Sequence, residues 1–255
     1  MSPQFIDTHI HLADDRFFPY LEQIVNAANA IDMILVANSE DFVSSTKNLE
    51  IAKSYPKNVK AFVGIHPSES LKENVEDVVL LLAKNRGLVA GIGEIGLDRK
   101  YTDNEEDYRV EKEIFTDMLG FAERLNKPVS VHSRGSVDDV LEELCNHSVD
   151  NVALHWFSGD LNQMKRASDK GYYVSFGPAA VYSKKIRKVA METPADLLLV
   201  ETDGPVPYGA CFGGRMGWPL YLPSIIYALA YERKVGYHEL SEQILQNSMK
   251  FIGDS

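Results

Sequence analysis

Short apolar runs alternate with longer stretches of helical periodicity along the whole chain. The apolar runs fall at residues 5–11, 33–36, 59–65, 88–92, 128–131, 152–154, 172–176 and 197–200. Helical patterns occupy 17–30, 44–54, 75–84, 106–125, 137–145, 161–170 and 184–191, and two more, 221–234 and 240–249, close the chain. An apolar run of strand length followed by a helix is the pattern of a parallel βαβ unit, whose strand is covered on both faces and so lacks polar alternation. Eight such units in 255 residues predict an α/β fold of the closed (β/α)8 TIM barrel type, which needs about 250 residues. No linker, low-complexity stretch or charge block interrupts the pattern, so one barrel domain over 1–255 is expected.

The polar residues that end these runs change the picture from a scaffold to a site. The first run ends in His9 and His11, the second near Asn38, the third in His66 and the fourth in Glu94. The fifth ends in His132, the sixth in His155, the seventh near Ser175 and the eighth in Asp203. Of the seven histidines, only His147 and His238 fall elsewhere. Barrel enzymes build their active sites at the C-terminal ends of the strands. Any one of these histidines alone reads as polar punctuation; five of them with Glu94 and Asp203 do not. Residues i and i+2 of a strand share a face, so His9 and His11 can approach one ion. Asp7 and Glu201 stand one layer deeper and are read as supporting or packing groups, not ligands. Imidazoles and carboxylates suit zinc, manganese and similar divalent ions. His9, His11, His132, His155, Glu94 and Asp203 exceed what one tetrahedral zinc requires. They suit two ions with a shared carboxylate, an arrangement that activates water and stabilises a phosphoryl displacement.

Charge and cysteine usage narrow the function classes. Lys+Arg number 26 against 37 Asp+Glu, a net charge of −11. That balance argues against a chain that coats nucleic acid, which is normally strongly basic, but not against a nuclease whose positive charge comes from metal ions. The composition, 45% hydrophobic and 25% charged, is that of a folded globular protein. Cys145 and Cys211 form no metal-binding spacing, and Met1-Ser2-Pro3-Gln4 has neither a basic cluster nor an apolar run. No stretch approaches the roughly 20 apolar residues of a membrane span. A reduced, cytoplasmic protein is expected, with no signal peptide and no protein partner inferable. The acidic stretch 103–107 reads as a solvated loop. Gly91-Ile92-Gly93-Glu94-Ile95-Gly96 fits G-x-G-x-x-G, but a dinucleotide site needs a helix to open at once, and Leu97-Asp98-Arg99-Lys100-Tyr101 reads as loop. Glu94 would also set a carboxylate against the pyrophosphate. The glycines are better explained by close backbone passage beside a metal site.

Six segments in order resemble the TatD-like metal-dependent deoxyribonucleases of the barrel metallohydrolase superfamily. They are Phe5-Ile6-Asp7-Thr8-His9-Ile10-His11-Leu12, Gly64-Ile65-His66-Pro67, Gly93-Glu94-Ile95-Gly96-Leu97-Asp98, Pro128-Val129-Ser130-Val131-His132-Ser133-Arg134, His155-Trp156-Phe157-Ser158-Gly159 and Glu201-Thr202-Asp203-Gly204-Pro205. The resemblance implies a barrel of the metal-dependent hydrolase type holding divalent ions, often two, with zinc, magnesium or manganese as candidates. It implies that His9, His11, Glu94 and Asp203 hold one ion, and that Glu94 bridges to a second held by His132 and His155. It implies cleavage of DNA phosphodiester bonds, as an exonuclease in some members, while some relatives act on aminoacyl-tRNA esters. Three positions depart from the family pattern. Leu12-Ala13-Asp14 replaces Leu-Asp, Glu111 stands where Gln is usual, and Gly217-Trp218-Pro219 stands where Asn-Glu-Pro is frequent. None is a proposed ligand.

The expected chemistry is hydrolysis by a metal-activated water, with Asp203 and Glu94 as catalytic residues and Asp203 accepting the water's proton. His66 and Arg134 are candidate substrate-binding residues; for each, a plain structural role is about equally good. Trp156, Phe157 and Tyr182 are candidates for stacking on bases, with core packing the better account of Trp156. Lys184-Lys185 and Arg187-Lys188 form the clearest basic run, expected to be a solvated helix face on the active side. Two ions would bring +4 to the mouth against −2 from Glu94 and Asp203, so DNA is expected to engage there as a strand end or single strand. The alternative substrates are an ester, amide or lactone, including an aminoacyl-tRNA ester. Related barrels in that class often carry a carbamylated lysine on the fourth strand, where this chain has Glu94. A non-catalytic binding barrel would have no need of six ligands.

Overall fold

The computed structural model describes residues 3–102 and 104–253. Met1-Ser2 of the opening segment and Asp103 of the acidic stretch therefore lie outside the described residues. Eight strands, β1 (Phe5–Ile10), β2 (Met33–Ala37), β3 (Val59–Val63), β4 (Val89–Gly96), β5 (Val129–His132), β6 (Val152–Leu154), β7 (Tyr173–Phe176) and β8 (Leu198–Val200), pair in parallel in sequence order. The seam between β8 and β1 is closed by backbone bonds just past β8. The amide of Asp203 donates to His9 O at 2.9 Å, and that of His11 to Gly204 O at 2.8 Å. The protein is a (β/α)8 TIM barrel, as the strand–helix alternation predicts.

The helices on the outside are α1 (Leu21–Ala30), α2 (Phe42–Ser54), α3 (Val75–Asn85), α4 (Glu105–Leu125), α5 (Val137–Leu144), α6 (Leu161–Asp169), α7 (Ala179–Tyr182), α8 (Lys184–Glu192), α9 (Leu222–Arg233) and α10 (Tyr237–Ile252). Their starts follow local chemistry. Asp41 caps α2 and Asp160 caps α6, each in a reciprocal capping box that satisfies otherwise orphaned amides. Most apolar side chains lie in one cluster between strands and helices. A smaller cluster joins Ile6, Ile34, Val36, Phe62 and Leu199 to Phe251 and Ile252 of α10. That helix closes the barrel floor, and burying a ring such as Phe62 stabilises by about 1.5–3 kcal/mol. Above this apolar floor the interior turns polar: Thr8 Oγ1 lies 3.3 Å from Ser175 Oγ and donates to Val200 O at 2.9 Å.

The structure differs from the sequence expectation at several edges. Strand β4 continues to Gly96 instead of stopping at 92. Pro19 opens a short 3-10 turn at Phe18–Tyr20, so α1 begins at Leu21. The last helix starts earlier, at Tyr237. The loop after β8 forms a small antiparallel pair, β9 (Pro207–Tyr208) and β10 (Arg215–Met216), which the sequence reading did not anticipate. No helix among the described residues is long and apolar enough to cross a membrane.

Candidate metal centre

Two irregularities in the strand ladder aim the key side chains into the barrel mouth. The β1–β2 register shifts between Asp7 and Ile10, bracketing His9, and the β4–β5 register shifts between Ile92 and Ile95, bracketing Glu94. Bulges of this kind re-aim side chains beside active sites. His9 Nε2 and His11 Nε2 converge to 3.2 Å, as the i, i+2 spacing predicts. Glu94 lies between two sets of imidazoles. Its Oε2 is 3.3 Å from His9 Nε2 and 3.4 Å from His11 Nε2. Its Oε1 is 2.7 Å from both His132 Nδ1 and His155 Nε2. Asp203 Oδ1 lies 3.2 Å from His11 Nε2 and 3.8 Å from His9 Nε2. Asp203 has a left-handed backbone, φ +45°, which for a non-glycine residue costs about 1–3 kcal/mol and marks a constrained site.

These side chains fit divalent metal. Three sets of ligand atoms each fall within 4.8 Å of one another: His9, Glu94 and His155; His9, His11 and Asp203; and His66, Glu94 and His132. Asp203 Oδ1 is buried without a hydrogen-bond partner, a costly state unless an ion satisfies it. The protonation pattern points the same way. Burial disfavours the Glu94 carboxylate, yet His155, His66, His9 and His132 hold it well below its ordinary range. Burial likewise opposes charge on His11, but Asp203, Glu40 and Glu94 hold it up at about 9. His155 is held well above its ordinary value, against burial, by Glu94 and Glu201. The two carboxylates stay ionised and demand positive charge, which a bound cation supplies directly.

Surrounding groups orient the imidazoles. Ser130 Oγ lies 2.8 Å from His9 Nδ1, and Asp98 Oδ2 lies 2.7 Å from His132 Nε2. Such partners fix the tautomer and ring of a ligating histidine. Glu201 Oε1 is 3.5 Å from His155 Nδ1 and accepts the Trp156 amide at 2.6 Å. Asp7 accepts from the Thr202 amide at 2.9 Å and from the Thr202 hydroxyl. Both therefore stand behind the ligand shell. Asp98 and Ser130 were missed in the sequence reading. Ser130 could have been found from its i, i+2 relation to His132. Asp98 had no signal beyond its place in a motif.

The substrate candidates divide. His66 Nε2 lies 3.5 Å from Glu94 Oε1, inside the cluster. Burial pushes its pKa down to about 3, and the Ser68 amide donates to its Nδ1 at 3.1 Å. Arg134 is on the rim, its Nε donating to Asp98 Oδ2 at 2.8 Å and its guanidinium 4.5 Å from the Tyr101 ring centre. Trp156 corrects the expectation of core packing: just past β6, with a backbone φ of +35°, it is half-buried and lines the cavity. Phe157 is buried in the core. Tyr182 packs near Phe212 and does not line the cavity. Lys185 and Lys188 border a separate groove with Asp160, Leu161 and Asn162. Asp14 pairs with Arg16 and is absent from all three ligand sets. Trp218 packs edge-on against Phe17.

Residues 6–253 match the family model of the TatD related DNases. The chain belongs to this family. It is 28% identical over 251 residues to a protein of Methanocaldococcus jannaschii named an uncharacterized metal-dependent hydrolase, covering 98% of this chain and 97% of that one. It is 26% identical to the human protein named deoxyribonuclease TATDN3, over 97% of this chain and 94% of that one. The crystal structure of YJJV, a TatD homolog from Escherichia coli K12, superposes with a TM-score of 0.90 at 26% identity, covering 98% of both chains. The chain is thus a member of a family of metal-dependent hydrolases, with buried His, Glu and Asp clusters able to bind metal.

Proposed function

We propose that this protein is a single-domain deoxyribonuclease that removes nucleotides from a DNA strand end using two divalent ions. The observation that supports this most is the placement of Glu94, one carboxylate oxygen facing His9 and His11 and the other facing His132 and His155. His9, His11, Glu94 and Asp203 would hold one ion, and Glu94, His132 and His155 the other. Bound there, the ions would supply an activated water and neutralise phosphate oxygens. Asp203, held below its ordinary carboxylate range against burial by His11, His155 and His9, accepts the proton of the attacking water. Because the Ser68 amide occupies its Nδ1, neutral His66 carries hydrogen on Nε2 and donates to the phosphate or the leaving oxygen. Arg134 keeps its terminal nitrogens for a phosphate. The family name and the human relative's name support DNA as substrate. The free, exposed Cys145 and Cys211 suit the reducing cytoplasm.

Bound metals should be measured first, then release of nucleotides from single-stranded and duplex DNA with and without chelator, beside an aryl ester. Chelator should abolish release, and Asp203→Asn should lower it by roughly 10²- to 10⁴-fold, the usual worth of a positioned proton acceptor. Undiminished cleavage by Asp203→Asn would remove it from this role. Turnover of the ester with none of DNA would move the protein to the other hydrolase class.

A further inference from the structure

The cavity at the barrel mouth has about 270 Å³, slightly below the roughly 300–1,000 Å³ of pockets that enclose drug-sized ligands. It suits one nucleotide rather than a length of strand. Its ionic walls come from the ligand cluster with Glu40 and Arg134, and two large aromatics, Trp156 and Tyr101, also line it. Three features fix the Trp156 ring. Its backbone is in the left-handed region, φ +35°. Its amide is tied at 2.6 Å to Glu201, the carboxylate that also faces His155. Its ring leans on Tyr208, centres 5.4 Å apart at 34°, and Tyr208 is itself buried and donates to Thr202 O at 3.0 Å. The other aromatic of the cavity, Tyr101, has the Arg134 guanidinium over its ring. Tyr101 is the more exposed of the two, whereas Trp156 is half-buried, backed by Tyr208, and follows the ligand histidine by one residue.

We propose that Trp156 is the stacking platform for the base of the substrate's terminal nucleotide, placing the adjoining phosphate over the metal centre. This rests on the phosphodiester reading above and adds a base requirement to it. Stacking tolerates every base, since each has a π face, so the platform demands a base without selecting one.

The chain has two tryptophans, so Trp218→Phe leaves Trp156 as the sole indole emitter. That protein should be titrated, with and without manganese, with deoxyadenosine 5′-monophosphate and with 2-deoxyribose 5-phosphate, which lacks only the base. The nucleotide should quench Trp156 emission and bind roughly 5- to 150-fold more tightly, the range of one base–aromatic stack. Trp156→Leu, followed by calorimetry, should lose most of that preference, and Trp156→Phe should keep part of it. Equal binding of the two compounds without quenching overturns the proposal, and does so even if Trp156→Leu fails to fold. Quenching by the nucleotide in a protein that cleaves no DNA overturns the nuclease reading and leaves the platform standing. Cleavage that releases abasic and base-bearing terminal nucleotides at equal rates does the reverse.

Discussion

His132 is gripped from both sides, by Glu94 at Nδ1 and Asp98 at Nε2, and Asp98 also anchors Arg134. One buried carboxylate thus aligns a ligand and a rim cation. Asp98→Asn should weaken metal binding by roughly 10- to 100-fold, the usual cost of losing a partner behind a ligand; competition with a chromogenic chelator measures it, and unchanged affinity would deny Asp98 that role. Glu111 holds the Asp98 amide at 3.0 Å, and its other oxygen has no partner. Burial pushes its carboxyl from an ordinary 4.5 up to about 7. Below pH 4.5 it is neutral folded or unfolded and costs nothing. As pH rises to 7 the unfolded chain ionises first, so stability falls, and above 7 the full penalty of about 3 kcal/mol is present. Glu111→Gln can still accept the amide. It should match the parent at pH 4 and gain up to about 3 kcal/mol at pH 8 by denaturant melts; equal stability at both pH values would refute this. The six ligand candidates were legible because each ends an apolar run. Glu201 was legible as a supporting group from its i, i+2 relation to Asp203, whereas Asp98 acts on His132 across the barrel mouth and no spacing along the chain encodes that.

The strands were legible from apolar runs, but β4 was cut short because glycine weakens any strand pattern. Its glycines answer to neighbours instead. A methyl group on Gly91 would stand 2.3 Å from the Phe62 ring, and one on Gly96, at φ +144°, would stand 2.1 Å from His132 O. Backbone cannot yield there as a flexible side chain could. Gly96→Ala should therefore destabilise by at least about 3 kcal/mol, adding overpacking to an unfavourable φ. At this chain length that is roughly 6–12 °C in Tm. Gly87→Ala, with nothing within 4 Å of the added group, should lie within about 0.5 kcal/mol of the parent. Calorimetry of the pair checks both, and a mild Gly96→Ala would show that β4 and β5 can separate. The β9–β10 pair and α7 escaped the sequence reading because each is too short to show a period.

Over the whole molecule the net charge of −11 disfavours a long electrostatic track for a polyanion. If binding engages about three phosphates, the affinity for single-stranded DNA should fall with a log–log salt slope near about −2, at roughly 0.7 per phosphate. A slope of about −6 would mean a long electrostatic track and would contradict strand-end engagement. Length and alternation made the barrel itself legible. Glu94 and Asp203, expected at one mouth from their places at strand ends, do line one cavity.

The seam at which Asp203 bonds His9 and His11 bonds Gly204 joins the first strand to the loop that follows the last. Ligands from the two ends of the barrel become neighbours only when this ring closes. During synthesis, a chain emerging with its first two histidines gains Glu94 from the fourth strand but lacks Asp203 until the eighth strand has followed. A complete set of ligands is thus a late event, and a nascent or prematurely terminated chain that lacks the eighth strand carries no complete metal centre.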